Sequence, residues 1–366
     1  MFITYLAKPL NYLINDSFTE GIFPKDLKSA RAKPIYKSNN KYEVVNYRPI
    51  SILSTISKLF ETIVKTRLMS FILKNNIIHK DQFGFQPSIS TNNALIEFYD
   101  FVLESLDQKN EVNGIFCDLT KAFDCVDHNI LISKMEKFGI RGLSCNWFQS
   151  YLSNRNQSVE IMHTKFGKVR SSPQRIRAGV PQGSVLGPIL FLLYINDISE
   201  KIKVSQKTIL FADDTTGLLT SQNKNDLMIK TNHFLLDMFN ALKEDKLALN
   251  LSKTKIINFN LTKNKKQYKS IKLNGESIFQ LSENHKFLGL TIDSTLNWNS
   301  HINILSNKLN SACYAIRRTI QLINTTTAKT VYFAYFESLM KYGIICWGNS
   351  HFTEKIFKIQ NKAIRI

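Results

Sequence analysis

The stretch "TILFADDTTGLL", residues 208–219, is mostly apolar, yet Asp213 and Asp214 sit side by side in its middle. An apolar run of this length reads as a buried strand. A buried, unpaired carboxylate is costly, and two adjacent ones repel each other. Two explanations are open at this point. The pair marks a surface hairpin turn, where aspartate is common because its side chain bonds the nearby backbone. Alternatively, a cation sits there and balances both charges.

Moving outward, "EVNG" (111–114) reads as a turn that leads into "IFCDL" (115–119), a short β-type run with Asp118 near its end. If the two strands are neighbours in one antiparallel sheet, three carboxylates meet at one edge. Such a cluster suits Mg²⁺, a hard cation that prefers oxygen ligands and retains waters for phosphates. Two ions held this way activate an attacking hydroxyl and stabilise a leaving phosphate oxygen. Between the two runs lies "AGVPQGSVLGP" (178–188). Its glycines allow close approach of backbone to a ligand, and Gly183 precedes a helix N-terminus.

The rest of the chain supplies helices around these strands. "ISKLFETIVKTRLMSFI" has one-face apolar spacing, with Ser54 as N-cap. Residues 93–106 repeat the pattern, residues 128–139 form a helix stopped by Gly139, and another helix runs through "CNWFQSYLSN". "QSVEI" and "RIRAGV" read as strands flanking a loop, and 184–198 as a buried helix. Residues 224–247 read as a long amphipathic helix, "KIINF" and "HKFLGLTID" (285–293) as strands, and everything from Trp298 onward as basic helices. Tyr194 and Phe211 are assigned to the core, and Asp124, Asp127 and His128 to turns and caps. The fold class is α+β, with helical ends.

Composition narrows the partners. Lys and Arg number 48 against 29 Asp and Glu, a formal charge of +19, which favours a polyanion, most often nucleic acid. A hydrophobic share of 43% excludes a disordered tail. The five cysteines form no CxxC pair, so neither a zinc ribbon nor a disulfide framework is indicated and a reducing, intracellular compartment fits. Lys8 and Pro9 interrupt the N-terminal apolar run, and "VLGPILFLLYI" (185–195) is too short to span a bilayer, so no secretion signal or membrane anchor is expected. The Lys/Asn-rich "LTKNKKQYKS" (261–270) reads as an exposed loop.

"FCDLTKAFDCVDHNIL", "GVPQGSVLGPILFLLYINDI" and "LFADDTTGL", in that order, closely resemble the reverse transcriptases of non-LTR (LINE-type, jockey-like) retrotransposons. The resemblance extends through "PIYK…NYRPISILSTISKLFETIVKTRL" (34–68), "DQFGFQPSISTNNAL" (81–95), "LALNLSKTKIINF" (247–259) and "HKFLGLTID", and on to "YGIICWG" and "IQNKAIRI". It implies a right-hand polymerase with an antiparallel palm sheet. Fingers and an N-terminal helical region would occupy 1–110, palm with part of the fingers 111–295, and a helical thumb with the start of a truncated C-terminal region 296–366.

The resemblance also implies roles. Asp118 and Asp213 would be the main ligands of two Mg²⁺ ions, Mn²⁺ being a substitute, with Asp214 as the third acidic member. Phe123 would pack against the incoming sugar and reject a 2′-hydroxyl. Gln182 and Gly183 would line the nascent base pair. Arg48 would hold the triphosphate with its forked guanidinium, Lys37 assisting. Lys253 would give a proton to the leaving pyrophosphate. The partners implied are an RNA template, a DNA primer and deoxynucleoside triphosphates, in nucleus or cytoplasm.

Gln86 stands where the family commonly has Arg. The chain also begins too late for an upstream endonuclease and stops at "IRI", so it reads as a fragment of a transposon reading frame. Two rivals follow: an RNA-dependent RNA polymerase, which Phe123 and "PQG" oppose, and a decayed relic that only binds nucleic acid.

Overall fold

The computed structural model describes residues 2–37, 40–260, 271–273, 276–279 and 281–366, so the expected loop 261–270 lies outside the described residues. In chain order the elements are α1 (Phe2–Glu20), β1 (Ser29–Tyr36), β2 (Tyr47–Ile52), α2 (Thr55–Lys74), α3 (Thr91–Asp107), β3 (Glu111–Cys117), α4 (His128–Lys137), α5 (Leu143–Leu152), β4 (Asn156–His163), β5 (Gly167–Arg170), β6 (Gln174–Arg175), α6 (Gly187–Ile195) and α7 (Ile198–Lys201). There follow β7 (Lys207–Phe211), β8 (Asp214–Ser221), α8 (Lys224–Glu244), β9 (Lys255–Phe259), β10 (Ile271–Leu273), β11 (Glu276–Phe279), β12 (Asn284–Phe287), β13 (Leu290–Asp293), α9 (Asn299–Leu322), α10 (Thr325–Val331), α11 (Ser338–Lys341), α12 (Ile344–Trp347) and α13 (Glu354–Ile364). They form two compact units, each assembled from three segments of chain.

The first unit comprises Met1–Phe85, Leu119–Lys201 and Met238–Leu249. Its sheet has the order β2-β1-β4-β5, with β6 on β4; β1 runs antiparallel to β2 and parallel to β4. Ser54 caps α2 by accepting from Ser57 N, as its spacing predicts. Gly139, at φ +91°, stops the chain just after α4. α6 has no polar stripe because it is buried on every side, with Leu190, Phe191 and Tyr194 fully enclosed. It begins three residues later than the sequence predicts, since Ser184 Oγ accepts from Gly187 N (2.9 Å) and Pro188 fills the first turn. One buried charge cluster anchors these helices. Lys134 Nζ donates to Asp197 (2.6 Å) and Asp245 (2.8 Å), while Tyr194 OH donates to the Asp245 carbonyl (2.5 Å).

The second unit comprises Gln86–Asp118, Ile202–Asp237 and Asn250–Ile366. Its sheet, in the order β7-β8-β3-β9, is antiparallel throughout. The run that leads into Asp213 and Asp214, β7, is not the direct neighbour of β3; the strand that follows them, β8, lies between the two and pairs antiparallel with both. Phe98 of α3 packs on Phe116, Phe259 and Phe287, at 5.8, 5.8 and 4.9 Å between ring centroids. Among the closing helices, α9 packs on α10 and α13. α9 starts where Asp293 collects the amides of Thr295, Asn297 and Trp298.

Three local expectations are corrected. "EVNG" is the first half of β3, not a turn: Gly114 sits in the strand because a side chain there would meet the Phe259 ring at 2.8 Å. "HKFLGLTID" is a hairpin rather than one strand. It reverses at Leu288 and Gly289, both at positive φ (42° and 90°), as a two-residue turn requires. Most of "RIRAGV" is not strand, because Gly179 N and Val180 N donate to the carbonyls of Val126 (2.8 Å) and Phe123 (2.8 Å).

Candidate active site

The second unit carries the aspartates. In the β3–β8 ladder Cys117 faces Thr215, so the next residue on each strand is Asp118 and Asp214. Phe211 pairs with Asp214, leaving Ala212 and Asp213 as the two-residue turn of the β7–β8 hairpin, with Ala212 at φ +57°. The turn reading and the charge question therefore describe one place: a hairpin tip that sets acidic residues at the end of the strand holding Asp118. Asp214 is exposed, whereas Asp118 and Asp213 are half-buried.

Asp118 is the informative member. Its Oδ2 is buried and accepts no hydrogen bond among the described residues, while Lys253 Nζ stands 3.5 Å away. The backbone explains that meeting: Asn250 N donates to Asp118 O (2.8 Å) and Lys253 N donates to Asn250 O (3.2 Å), folding the turn before β9 against the end of β3. A cleft of about 340 Å³ opens here, lined by Asp118, Asp214, Lys253, Lys255, His285 and Lys286 among others. His285 packs on the Phe116 ring at 4.6 Å. Burial, reinforced by Lys255 and opposed by Asp118, pushes its pKa down to about 4, so the imidazole is neutral at pH 7. Burial pushes the neighbouring Cys117 thiol up to about 12, which leaves it unreactive. Among the described residues no three His, Cys, Asp or Glu side chains are arranged to share one ion.

The first unit carries the other singled-out residues. Phe123 is half-buried and stacks on Phe191 of α6, centroids 4.4 Å apart and planes 22° from parallel. Gln182 Nε2 donates to Asp124 (3.2 Å), and its carbonyl accepts from Ser51 N (2.7 Å). Gly183, at φ +108°, passes so close to Ser51 that a Cβ would lie 2.7 Å from the Ser51 carbonyl oxygen. Only glycine fits there. Arg48 lies on β2 opposite Ile35, and Lys37 follows β1, its amide donating to Asn46 O (2.9 Å); both side chains are exposed. Asp127 caps α4 through Asn129 N and Ile130 N, as expected. His128 Nε2 bonds the Gly179 carbonyl (2.8 Å).

Sequence reasoning passed over His285 and Lys255, took Asp124 only as a turn or capping residue, and missed Glu61, a fully buried carboxylate on α2. No local pattern marks any of them. The one available signal was a glutamate at a core position of a helical stripe.

Residues 35–292, more than half of the chain, match the family model described as reverse transcriptase (RNA-dependent DNA polymerase). The chain is 30% identical over 382 residues to a probable RNA-directed DNA polymerase from transposon BS of Drosophila melanogaster, covering 99% of this chain and 40% of that protein. It is 30% identical over 302 residues to the RNA-directed DNA polymerase from the mobile element jockey of the same species, covering 80% of this chain and 32% of that one. It thus spans less than half the length of these relatives. Among solved structures, telomerase from Candida tropicalis in complex with a fragment of telomeric RNA superposes with a TM-score of 0.52 at 13% identity, over 92% of this chain and 58% of that one. The shared fold is the right-hand polymerase fold.

Proposed function

The chain belongs to the reverse transcriptase (RNA-dependent DNA polymerase) family, and from that premise we propose that it extends a DNA primer on an RNA template by nucleotidyl transfer, as part of a non-LTR retrotransposon protein. The observation that carries the reading is the β3–β8 register. It sets Asp118 beside Asp214 at the foot of a hairpin whose tip is Asp213, and Asp118 Oδ2 is buried there with no hydrogen-bond partner among the described residues, Lys253 Nζ standing 3.5 Å away. A buried, unbonded carboxylate oxygen fits a cation.

Asp118 and Asp213 would hold two Mg²⁺ ions, or Mn²⁺ in their place, with Asp214 as the third acidic side chain. Once bound, such ions ease loss of the proton from the attacking hydroxyl and neutralise charge on the leaving oxygen. The chain's own groups do the rest. Lys253, an ammonium beside Asp118, hands a proton to the departing pyrophosphate. Phe123, backed by Phe191, closes the space beside C2′ and so selects deoxynucleotides. Gln182 and Gly183 line the nascent base pair, the bare glycine backbone allowing close approach. Arg48 and Lys37 hold the triphosphate. The fingers, palm and thumb assignments (1–110, 111–295, 296–366) and an intracellular site of action, nucleus or cytoplasm, belong to the same proposal. All five cysteines are unpaired, which suits a reducing compartment.

The test is primer extension by the purified chain on a primed RNA template. Phosphoryl transfer rests on positioning and charge neutralisation, so Asp213→Asn and Asp118→Asn should each lower the rate on the order of 10³-fold or more. Affinity for the duplex should stay within about threefold, since it rests on the basic surface. Extension that survives Asp213→Asn would return the pair to being a plain hairpin turn.

A further inference from the structure

Glu61 has none of the usual reasons to be where it is. It sits on α2, is 0% exposed, and has no ion-pair partner within salt-bridge distance among the described residues. Its two oxygens are nonetheless occupied. Oε1 accepts from Ser57 Oγ (3.2 Å), one turn earlier on the same helix. Oε2 accepts from Val185 N (2.6 Å) and Leu186 N (3.3 Å), more than a hundred residues away in sequence. Those two amides immediately precede α6, whose N-cap, Leu186, has no capping side chain. A carboxylate at that point meets the positive end of the helix dipole, and the charge of Arg155 adds to the effect. Burial is the largest influence on the Glu61 carboxyl and raises its pKa, the two amides, Arg155 and Ser57 opposing it.

The segment these bonds restrain is the loop that carries Gln182 and Gly183. Its near end is tied by Gly179 N and Val180 N to the carbonyls of Val126 and Phe123. Its middle is tied by Ser51 N to Gln182 O, and Ser184 N closes on Pro181 O (3.1 Å). The Ser184 hydroxyl acts within the loop, and Glu61 reaches its far end from outside, with the buried Tyr151 side chain lying beside both Ser184 and Glu61. The loop is thus stretched between Phe123 and Glu61, with the two proposed base-pair-lining residues between them.

We infer that Glu61 is a positioning residue for nucleotide selection: through Val185 and Leu186 it sets the loop that presents Gln182 and Gly183 against the incoming nucleotide. This deepens the polymerase reading and rests on it. A mere core glutamate would contribute to stability alone. A strut for the loop would also set the apparent affinity for the nucleotide.

The experiment compares the full chain with Glu61→Gln and Glu61→Ala in primer extension under varied deoxynucleotide, with amide hydrogen exchange on the same proteins. Glutamine keeps size and one acceptor oxygen but loses the charge and the reach to both amides. Glu61→Gln should raise KM for deoxynucleotide roughly five- to twentyfold, the effect of one or two weakened buried hydrogen bonds, while kcat changes less than about threefold. Exchange in residues 180–187 should quicken while that of the β1–β2 ladder does not. Glu61→Ala should exceed both effects; if it fails to fold, the glutamine variant decides alone. An unchanged KM or unchanged loop exchange in Glu61→Gln overturns the inference. Gln182→Ala separates it from the reading beneath: if that change leaves KM untouched, the loop does not meet the nucleotide. If the unmutated chain never extends a primer, the polymerase reading itself falls.

Discussion

At the scale of single residues, the structure gives several side chains two contexts at once. Phe123 is a core residue by its stack on Phe191 and is half-exposed on its other side. Phe123→Val removes bulk and no charge, so it should admit ribonucleotides, narrowing deoxy-over-ribo discrimination by at least about tenfold, with deoxynucleotide incorporation reduced but retained. Parallel extension assays with each nucleotide type read this out, and unchanged discrimination would leave Phe123 as packing alone. Asp118, Asp213 and Asp214 drew notice in the sequence because acids inside apolar runs go against the burial rule, and the structure resolves part of that conflict by placing Asp213 in a hairpin turn and exposing Asp214. Glu61 and His285 drew none. A glutamate in a helix and a histidine in a β-type run are unremarkable until the fold shows what surrounds them. His285 owes its depressed pKa to burial and to Lys255, thirty residues away in the chain. Its ring contact is with Phe116, from yet another strand.

At the scale of elements, periodicity served the helices well and glycine misled. Ser54, Gly139 and the apolar stripe of α2 mark real ends and faces, since a helix bonds within itself and its signals are local. Strands answer to partners that the sequence does not show. Gly114 and its neighbours resembled a turn, yet Gly114 is glycine because Phe259 fills the space of a side chain. Gly217 on β8 repeats the device: a Cβ there would lie 2.2 Å from the ring of Phe234, which is fully buried and has nowhere to move. Gly217→Ala should therefore cost about 1–3 kcal/mol of stability, measured by denaturant titration. Because β8 begins at Asp214, the strain should also reach the hairpin. A loss below about 0.5 kcal/mol would mean that the α8 packing yields more easily than a close-packed interior should. The β12–β13 reversal escaped notice for a related reason. Leucine at positive φ is rare, so Leu288–Gly289 carried no clear turn signature.

At the scale of the whole molecule, charge was legible and chain path was not. The +19 excess predicts that affinity for an RNA–DNA duplex falls on the order of 10³-fold between about 50 and 200 mM salt, as counterions are released from phosphates. A log–log slope near zero would detach the charge from nucleic acid. The path of the chain is a different matter, because nothing in composition or periodicity reveals that each compact unit is sewn from three separated segments. During synthesis on the ribosome, the first unit lacks its last piece until residue 249 has emerged, while the second opens at residue 86 and takes up its third segment only from residue 250. The first unit can therefore close only after the first two segments of the second have been made, and β1 must wait for β4, more than a hundred residues on, before its second neighbour exists. Splitting the gene anywhere between residues 86 and 249 would yield two polypeptides that each hold parts of both units, and that must find each other before either can complete its core.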